Sequence, residues 1–227
     1  MPAPPEYCPV SMGAEIVAER WNLLIIRELL TGARRFNDIH RGLPGLSRTL
    51  LSQRLRTLRG HGLISAAADP TDGYQLTDAG RDLSTVLEAL GSWSVRWRFP
   101  EPDGAQLNPH LLMWRMRGGL AHDRLPPRRV VIEFTFTDDA GDRPERVWLI
   151  ADGEDSSVCT RDPLFDIDVF ATASSRVWHE IWYGRRSVRE SISGGTVRLS
   201  GEKHLVAGFV DWFGLSPFAG QVAGRPT

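Results

Sequence analysis

Between Ser47 and Gly60, four polar side chains recur at helical spacing: Thr49, Ser52, Gln53 and Arg56 stand at i, i+3, i+4 and i+7. Two hydroxyls, an amide and a guanidinium all donate hydrogen bonds to base edges or phosphates, and none is an acid that phosphate would repel. The other face of the same projection holds Leu51, Leu55 and Leu58. At 100° per residue these leucines lie within about 60° of one another, so they turn to a core. A face meant only for water would mix in glutamate for i,i+4 pairing with the arginines. The spacing points to contact with a polyanion.

The surrounding charge agrees. Residues 33–61 carry seven arginines (34, 35, 41, 48, 54, 56 and 59) against one acid, Asp38, a net of +6 in a chain of formal net charge -1. A basic segment in an otherwise neutral protein is the electrostatic footprint of a nucleic-acid binder, unless acids elsewhere in the fold neutralise it. The candidate DNA contacts are Arg34, Arg35, Ser47, Arg48, Thr49, Ser52, Gln53, Arg56 and Arg59.

These residues need a frame. Upstream, Ile16, Val17, Trp21, Leu24, Ile25 and Leu29 recur at helical spacing up to Thr31-Gly32, and a short helix is expected from Phe36 to Arg41. "GLPG" then makes a turn, Ser47 an N-cap, and Gly60 and Gly62 a stop. "LISAA" and "GYQLT" read as two strands around the turn-rich "DPTDG", and Thr77-Asp78 caps a long helix. Helix, helix, turn, helix, hairpin is the winged helix-turn-helix order.

The first half closely resembles the HxlR family of bacterial winged-helix regulators. The resemblance rests on "CPV" at Cys8–Val10, "RWNLLIIRELLTGARRFNDI" at Arg20–Ile39, "LPGLSRTLLSQRLRTLRGHGLI" at Leu43–Ile64 and "YQLTDAG" at Tyr74–Gly80. It implies that the helix opening at Ser47 enters the major groove and that residues 69–73 form the wing tip. The family's wing is usually longer and often basic, whereas "ADPTDG" carries two aspartates, so more of the affinity must come from the arginine-bearing helices.

Leu83, Val86, Leu90, Trp93 and Trp97 follow at spacings of 3, 4, 3 and 4, a seam of a and d positions expected to dimerise, or else to pack on its own domain. The resemblance implies a homodimer with terminal helices in the interface. A two-fold dimer would set its recognition helices about 34–36 Å apart on a pseudo-palindromic operator in double-stranded DNA. The family also has members whose N-terminal cysteine, in a "CP" context like Cys8-Pro9, senses oxidants or electrophiles, which makes Cys8 a redox candidate. Cys159, beside Val158 in an expected strand, reads as a small buried filler.

"RFPEPDGAQLNP" (98–109), with three prolines and a glycine, reads as a linker between an N-terminal domain over 1–99 and a second over 108–227. Beyond it, a helix over 110–120 precedes strands at 128–138, 145–152, 156–162 and 165–174, expected to pair antiparallel. A helical stretch from "SSRVWHEIW" to "SISGG", a strand "TVRLSG" and a final helix "KHLVAGFVDWFG" close the chain. The fold class is therefore α+β. The order from Asp166 onward resembles the sterol-carrier-protein-like fold, on Asp168–Ala173, Gly184–Ser187 and Gly195–Gly201. That resemblance implies an internal tunnel for apolar molecules. The candidate ligand contacts are Met113, Trp114, Phe134, Phe136, Trp148, Phe170, Trp178 and Trp182, with ordinary core packing as the alternative.

Catalytic signatures are missing: there is no G-x-S-x-G, P-loop, dinucleotide fingerprint or H-E-x-x-H, and the six histidines lack ligand spacing. No enzyme, cofactor or metal is expected. Two cysteines, no apolar run long enough for a membrane span and no secretory leader point to the cytoplasm. Three readings stand: a regulator, expected to be a repressor, controlled by a hydrophobic or aromatic effector in its second domain; a regulator switched through the Cys8 thiol; and a lipid-binding or carrier protein whose winged domain serves dimerisation.

Overall fold

The computed structural model describes residues 7–67, 73–137 and 144–224. These residues divide into two compact units, Met1–Gly91 and Ser92–Thr227.

In the first unit Pro9 occupies the opening turn of α1 (Pro9–Val17), where its missing N–H costs nothing. The periodicity from Ile16 to Leu29 does not make one helix. The chain bends at Ala18-Glu19, and α2 (Arg20–Leu30) starts afresh, tied back by Asn22, whose Nδ2 donates to the Ile16 carbonyl at 2.7 Å. The short α3 (Phe36–Arg41) and α4 (Arg48–Gly60) follow. Strands β1 (Ile64–Ala66) and β2 (Tyr74–Leu76) pair antiparallel, Ser65 opposite Gln75. Most of the expected wing tip, with Asp69 and Asp72, lies outside the described residues. The base of the wing is fixed by Gly73 at φ +80, where a Cβ would lie 2.3 Å from the Arg34 carbonyl oxygen. Next to it Tyr74 N donates to that same oxygen at 2.9 Å. Thr77 caps α5 (Asp78–Trp97), its Oγ1 accepting from Gly80 N at 3.2 Å.

The second unit is built on a five-stranded sheet in the order β5-β4-β3-β6-β7. Strands β3 (Val130–Phe136), β4 (Glu145–Asp152) and β5 (Asp155–Cys159) form an antiparallel meander. Here the expectation of an antiparallel sheet fails, because β6 (Val169–Ala173) runs parallel to β3, Phe134 opposite Ala171. The cause is the crossover from Cys159 to Val169, which carries the chain past β4 and β3 and re-enters on the far side in the β3 direction. β7 (Arg198–Gly201) pairs antiparallel at the edge.

Helices α6 (Pro109–Arg117), α7 (Ser175–Trp182), α8 (Val188–Ser193), α9 (Lys203–Trp212) and α10 (Ala219–Ala223) complete the unit. α7 and α8 are separate because Gly184 takes φ +72, and a Cβ there would meet Ala219 Cβ at 2.9 Å. The expected linker over 98–109 is instead bound to this unit: Phe99 meets the Tyr183 ring edge-on at 5.0 Å, and Arg176 donates to the Pro102 carbonyl. Proline and glycine stop the helix, but aromatic and arginine anchors keep the segment on the surface.

Candidate functional site

α4 is organised as its residue spacing requires. Ser47 has extended backbone, and its Oγ accepts from Leu50 N at 3.2 Å, so the helix begins at a fixed residue. Leu51, Leu55 and Leu58 are buried, while Thr49, Ser52, Gln53, Arg56 and Arg59 are exposed on the remaining arc.

The arginines divide by what holds them. Arg54 pairs with Glu19 at 2.7 Å and is largely buried, so it braces α4 against the start of α2. Arg48 donates to Asn37 Oδ1 at 2.8 Å and lies 5.0 Å over the Phe36 ring, so this exposed residue is fixed at the α3–α4 junction. Arg41 faces Asp38 at 3.7 Å. Among the described residues no carboxylate pairs with Arg34, Arg35, Arg56 or Arg59, all exposed. Among the described residues this positive charge flanks the polar face of α4 without an acidic partner, and the Arg34 carbonyl anchors the wing base beside it. Neither Glu19 nor Asn37 stood out in sequence, since each acts through a partner distant along the chain.

Most of the seam on α5 is exposed. Leu83 is half-buried, whereas Val86, Leu90, Trp93 and Trp97 are 41%, 48%, 54% and 59% exposed.

Cys8 is the N-cap of α1, and its thiol is held below the ordinary thiol pKa, first by the Ser11 backbone N–H, then by that of Val10 and the Ser11 side chain. Cys159 packs against the cluster of Val131, Trp148 and Ile150, and both cysteines are free.

The sheet divides the expected ligand contacts. Phe134 faces the helices, in ring contact with Trp178 at 5.2 Å, Phe209 at 6.2 Å and Phe213 at 6.0 Å. Phe136 shares that strand face by the two-residue period. Trp148 and Phe170 are the cross-strand partners of Glu133 and lie on the opposite face, where Phe170 is 39% exposed. One cavity cannot gather both sets. The helical side does hold a small apolar cleft, to which Trp178 and Trp182 contribute from the expected set. Met113, Trp114, Phe134 and Phe136 are buried core outside its lining. Sequence reasoning missed Ile181, Val188, Phe209, Phe213 and Leu215, although the spacing of Trp178, Ile181 and Trp182 on α7 carried that signal.

Glu133 is a buried carboxylate on the other face. It accepts from Trp148 Nε1 and Thr135 Oγ1, each at 3.2 Å, with Arg146 3.7 Å away. Asp168 is a brace: one oxygen accepts from Val131 N at 2.8 Å and the other faces Arg128 at 2.8 Å, where it raises the arginine's pKa. Among the described residues no group of three His, Cys, Asp or Glu side chains could hold a metal, and no helix is long and apolar enough to cross a membrane.

The sequence matches the HxlR-like helix-turn-helix family over residues 16–102. It is 35% identical over 100 residues to the uncharacterized HTH-type transcriptional regulator YvaP of Bacillus subtilis, covering 42% of this chain and 93% of that protein. With the regulator Rv3095 of Mycobacterium tuberculosis it shares 42% identity over 99 residues, 42% of this chain and 61% of that one. The chain thus spans about three-fifths of that mycobacterial relative. The crystal structure of quinone-bound YodB from B. subtilis is 30% identical, covering 38% of this chain and 96% of that one, with a TM-score of 0.35. Both of these named relatives are described as HTH-type transcriptional regulators.

Proposed function

The chain belongs to the HxlR-like helix-turn-helix family, and from that premise we propose a dimeric, operator-specific repressor whose grip on DNA is set by an apolar molecule held in its second unit. The observation that carries the DNA reading is the face of α4: Thr49, Ser52, Gln53 and Arg56 exposed opposite three buried leucines, on a helix fixed at Ser47. In this reading Gln53 and Arg56 meet base edges or nearby phosphates, while Arg34, Arg35, Arg48 and Arg59 engage the backbone on either side. The exposed α5 seam supports a two-fold dimer that presents two such helices to a pseudo-palindrome. The second unit serves as the effector domain, of sterol-carrier-like α+β type. An effector that prefers one arrangement of the recognition helices changes DNA affinity by that preference.

A gel-shift on the DNA upstream of its own coding sequence tests the reading. Gln53→Ala and Arg56→Ala are expected to abolish specific binding at physiological salt. Binding unchanged in both would leave the carrier reading, with a winged domain used only for dimerisation.

The lowered Cys8 pKa favours a second reading, in which oxidant or electrophile at that thiol releases DNA. Release by diamide that persists in Cys8→Ser would place the switch elsewhere.

A further inference from the structure

In the first unit the end of α4 and the start of α5 meet at one hydroxyl. α4 closes as a helix followed by glycine does: Gly62 N donates to the Arg59 carbonyl and Leu63 N to the Leu58 carbonyl, each at 3.0 Å. The Gly62 carbonyl then accepts from Thr77 Oγ1 at 2.6 Å. That same oxygen of Thr77 accepts from Gly80 N at 3.2 Å, in the first turn of α5. Beside it Thr77 N donates to the Leu63 carbonyl at 3.1 Å. The backbones approach so closely that a Cβ on Gly80 would lie 2.0 Å from the Leu63 oxygen. Only a group that donates and accepts at one atom completes this joint. A carboxylate at position 77 would cap α5 but has no proton for the Gly62 carbonyl, and an alkyl side chain does neither. The side-chain ties of Arg54 to Glu19 and of Arg48 to Asn37 lead instead to the start of α2 and to α3.

We infer that Thr77 is a positioning residue for operator recognition: its hydroxyl holds α4 against α5 and so sets the half-site spacing that a two-fold dimer accepts. The inference rests on the reading of the α5 seam as the dimer interface. One helix then carries both the joint, at its N-terminus, and the seam, with Leu83, Val86 and Leu90 inside the first unit. Symmetry applies the angle between α4 and α5 twice, so that angle fixes the separation and rotation of the two α4 helices. One base pair added between half-sites moves them apart by about 3.4 Å and turns them by about 35°. The protein follows such a shift only by bending where α4 meets α5, and bending breaks the Thr77–Gly62 hydrogen bond. Losing one neutral hydrogen bond weakens binding about tenfold.

The test uses the full chain and an operator footprinted upstream of its own coding sequence. Affinity is measured for that operator, for copies with one base pair inserted or deleted at the centre, and for an isolated half-site. The wild type is expected to bind either altered spacing about tenfold more weakly than the native one. Thr77→Val keeps the branched shape and has no bond to break, so its affinities for the three spacings should agree within about twofold, with half-site affinity as in the wild type. Thr77→Ser restores donor and acceptor together and should restore the preference. Thr77→Asp keeps α5 capped without the donor, so it should lose the preference as well, and it carries the test if Thr77→Val folds poorly. A spacing preference that survives in Thr77→Val and Thr77→Asp, one that Thr77→Ser fails to restore, or an equal weakening of half-site and full operator would overturn the role of Thr77 and leave the dimer standing. A wild type indifferent to spacing sinks the two-fold reading, and this inference with it.

Discussion

Arg48 and Arg56 sit two turns apart on one helix and answer to different constraints. Arg48 is held by Asn37 and the Phe36 ring, so its loss loosens the α3–α4 junction as well as removing a charge. Among the described residues Arg56 reaches only the Ser52 carbonyl of its own helix, at 3.4 Å. Arg56→Ala is therefore expected to leave thermal stability within about 0.5 kcal/mol of wild type. It should also flatten the salt dependence of DNA binding by about one unit of slope if the guanidinium meets phosphate. Arg48→Ala should lower both affinity and the melting temperature, and a salt series beside a thermal melt reads the difference. Cys8 gives a pH test at the same scale. Because backbone and Ser11 groups stabilise its thiolate, the anion forms at lower pH than in a free thiol. Alkylation of Cys8 by iodoacetamide should reach half its limiting rate at a lower pH than in the same chain unfolded in denaturant. Ser11→Ala should move that midpoint upward, and a wild-type midpoint at or above that of the unfolded chain would contradict the assignment.

At the scale of elements, α4 separates packing from recognition by helical phase. Leu55→Ala is expected to cost about 2–5 kcal/mol in chemical denaturation, the usual range for an emptied core leucine, whereas Gln53→Ala two residues earlier should cost almost nothing. The hinge of the wing is equally specific. Gly73→Ala places a methyl 2.3 Å from the Arg34 carbonyl oxygen on a positive φ, so it should destabilise the first unit and depress DNA affinity together. What was legible in the sequence follows from the range of the forces involved. The Ser47 cap, the leucine face and the seam of α5 depend on neighbours within two turns, and all could be read as spacing. The bend at Ala18-Glu19, the parallel partner of β3 and the anchoring of residues 98–109 depend on contacts far along the chain, which periodicity does not encode. The candidate cavity failed for a related reason. Alternation along β3 was visible, but the register that sets Trp148 and Phe170 on the face away from Phe134 belongs to the sheet, not to any one strand.

For the whole molecule the decisive element is α5, because the boundary between the two compact units falls inside it, at Gly91-Ser92. Its four exposed seam residues therefore come from both units: Val86 and Leu90 from the first, Trp93 and Trp97 from the second. Apolar side chains this large, a turn apart along one face, bury against a partner far more favourably than they meet water. A parallel or antiparallel copy of the same seam would supply that partner in a two-fold dimer. Leu90→Glu with Trp93→Glu places carboxylates in the middle of the seam at positions already exposed in the monomer, so folding should survive. Sedimentation of the double variant is expected to give a monomer where the wild type gives a dimer, with unchanged helical content by circular dichroism. Because one half-site then has to hold alone, affinity for a full operator should fall to that for an isolated half-site. A dimer that persists in the double variant would move the interface off α5.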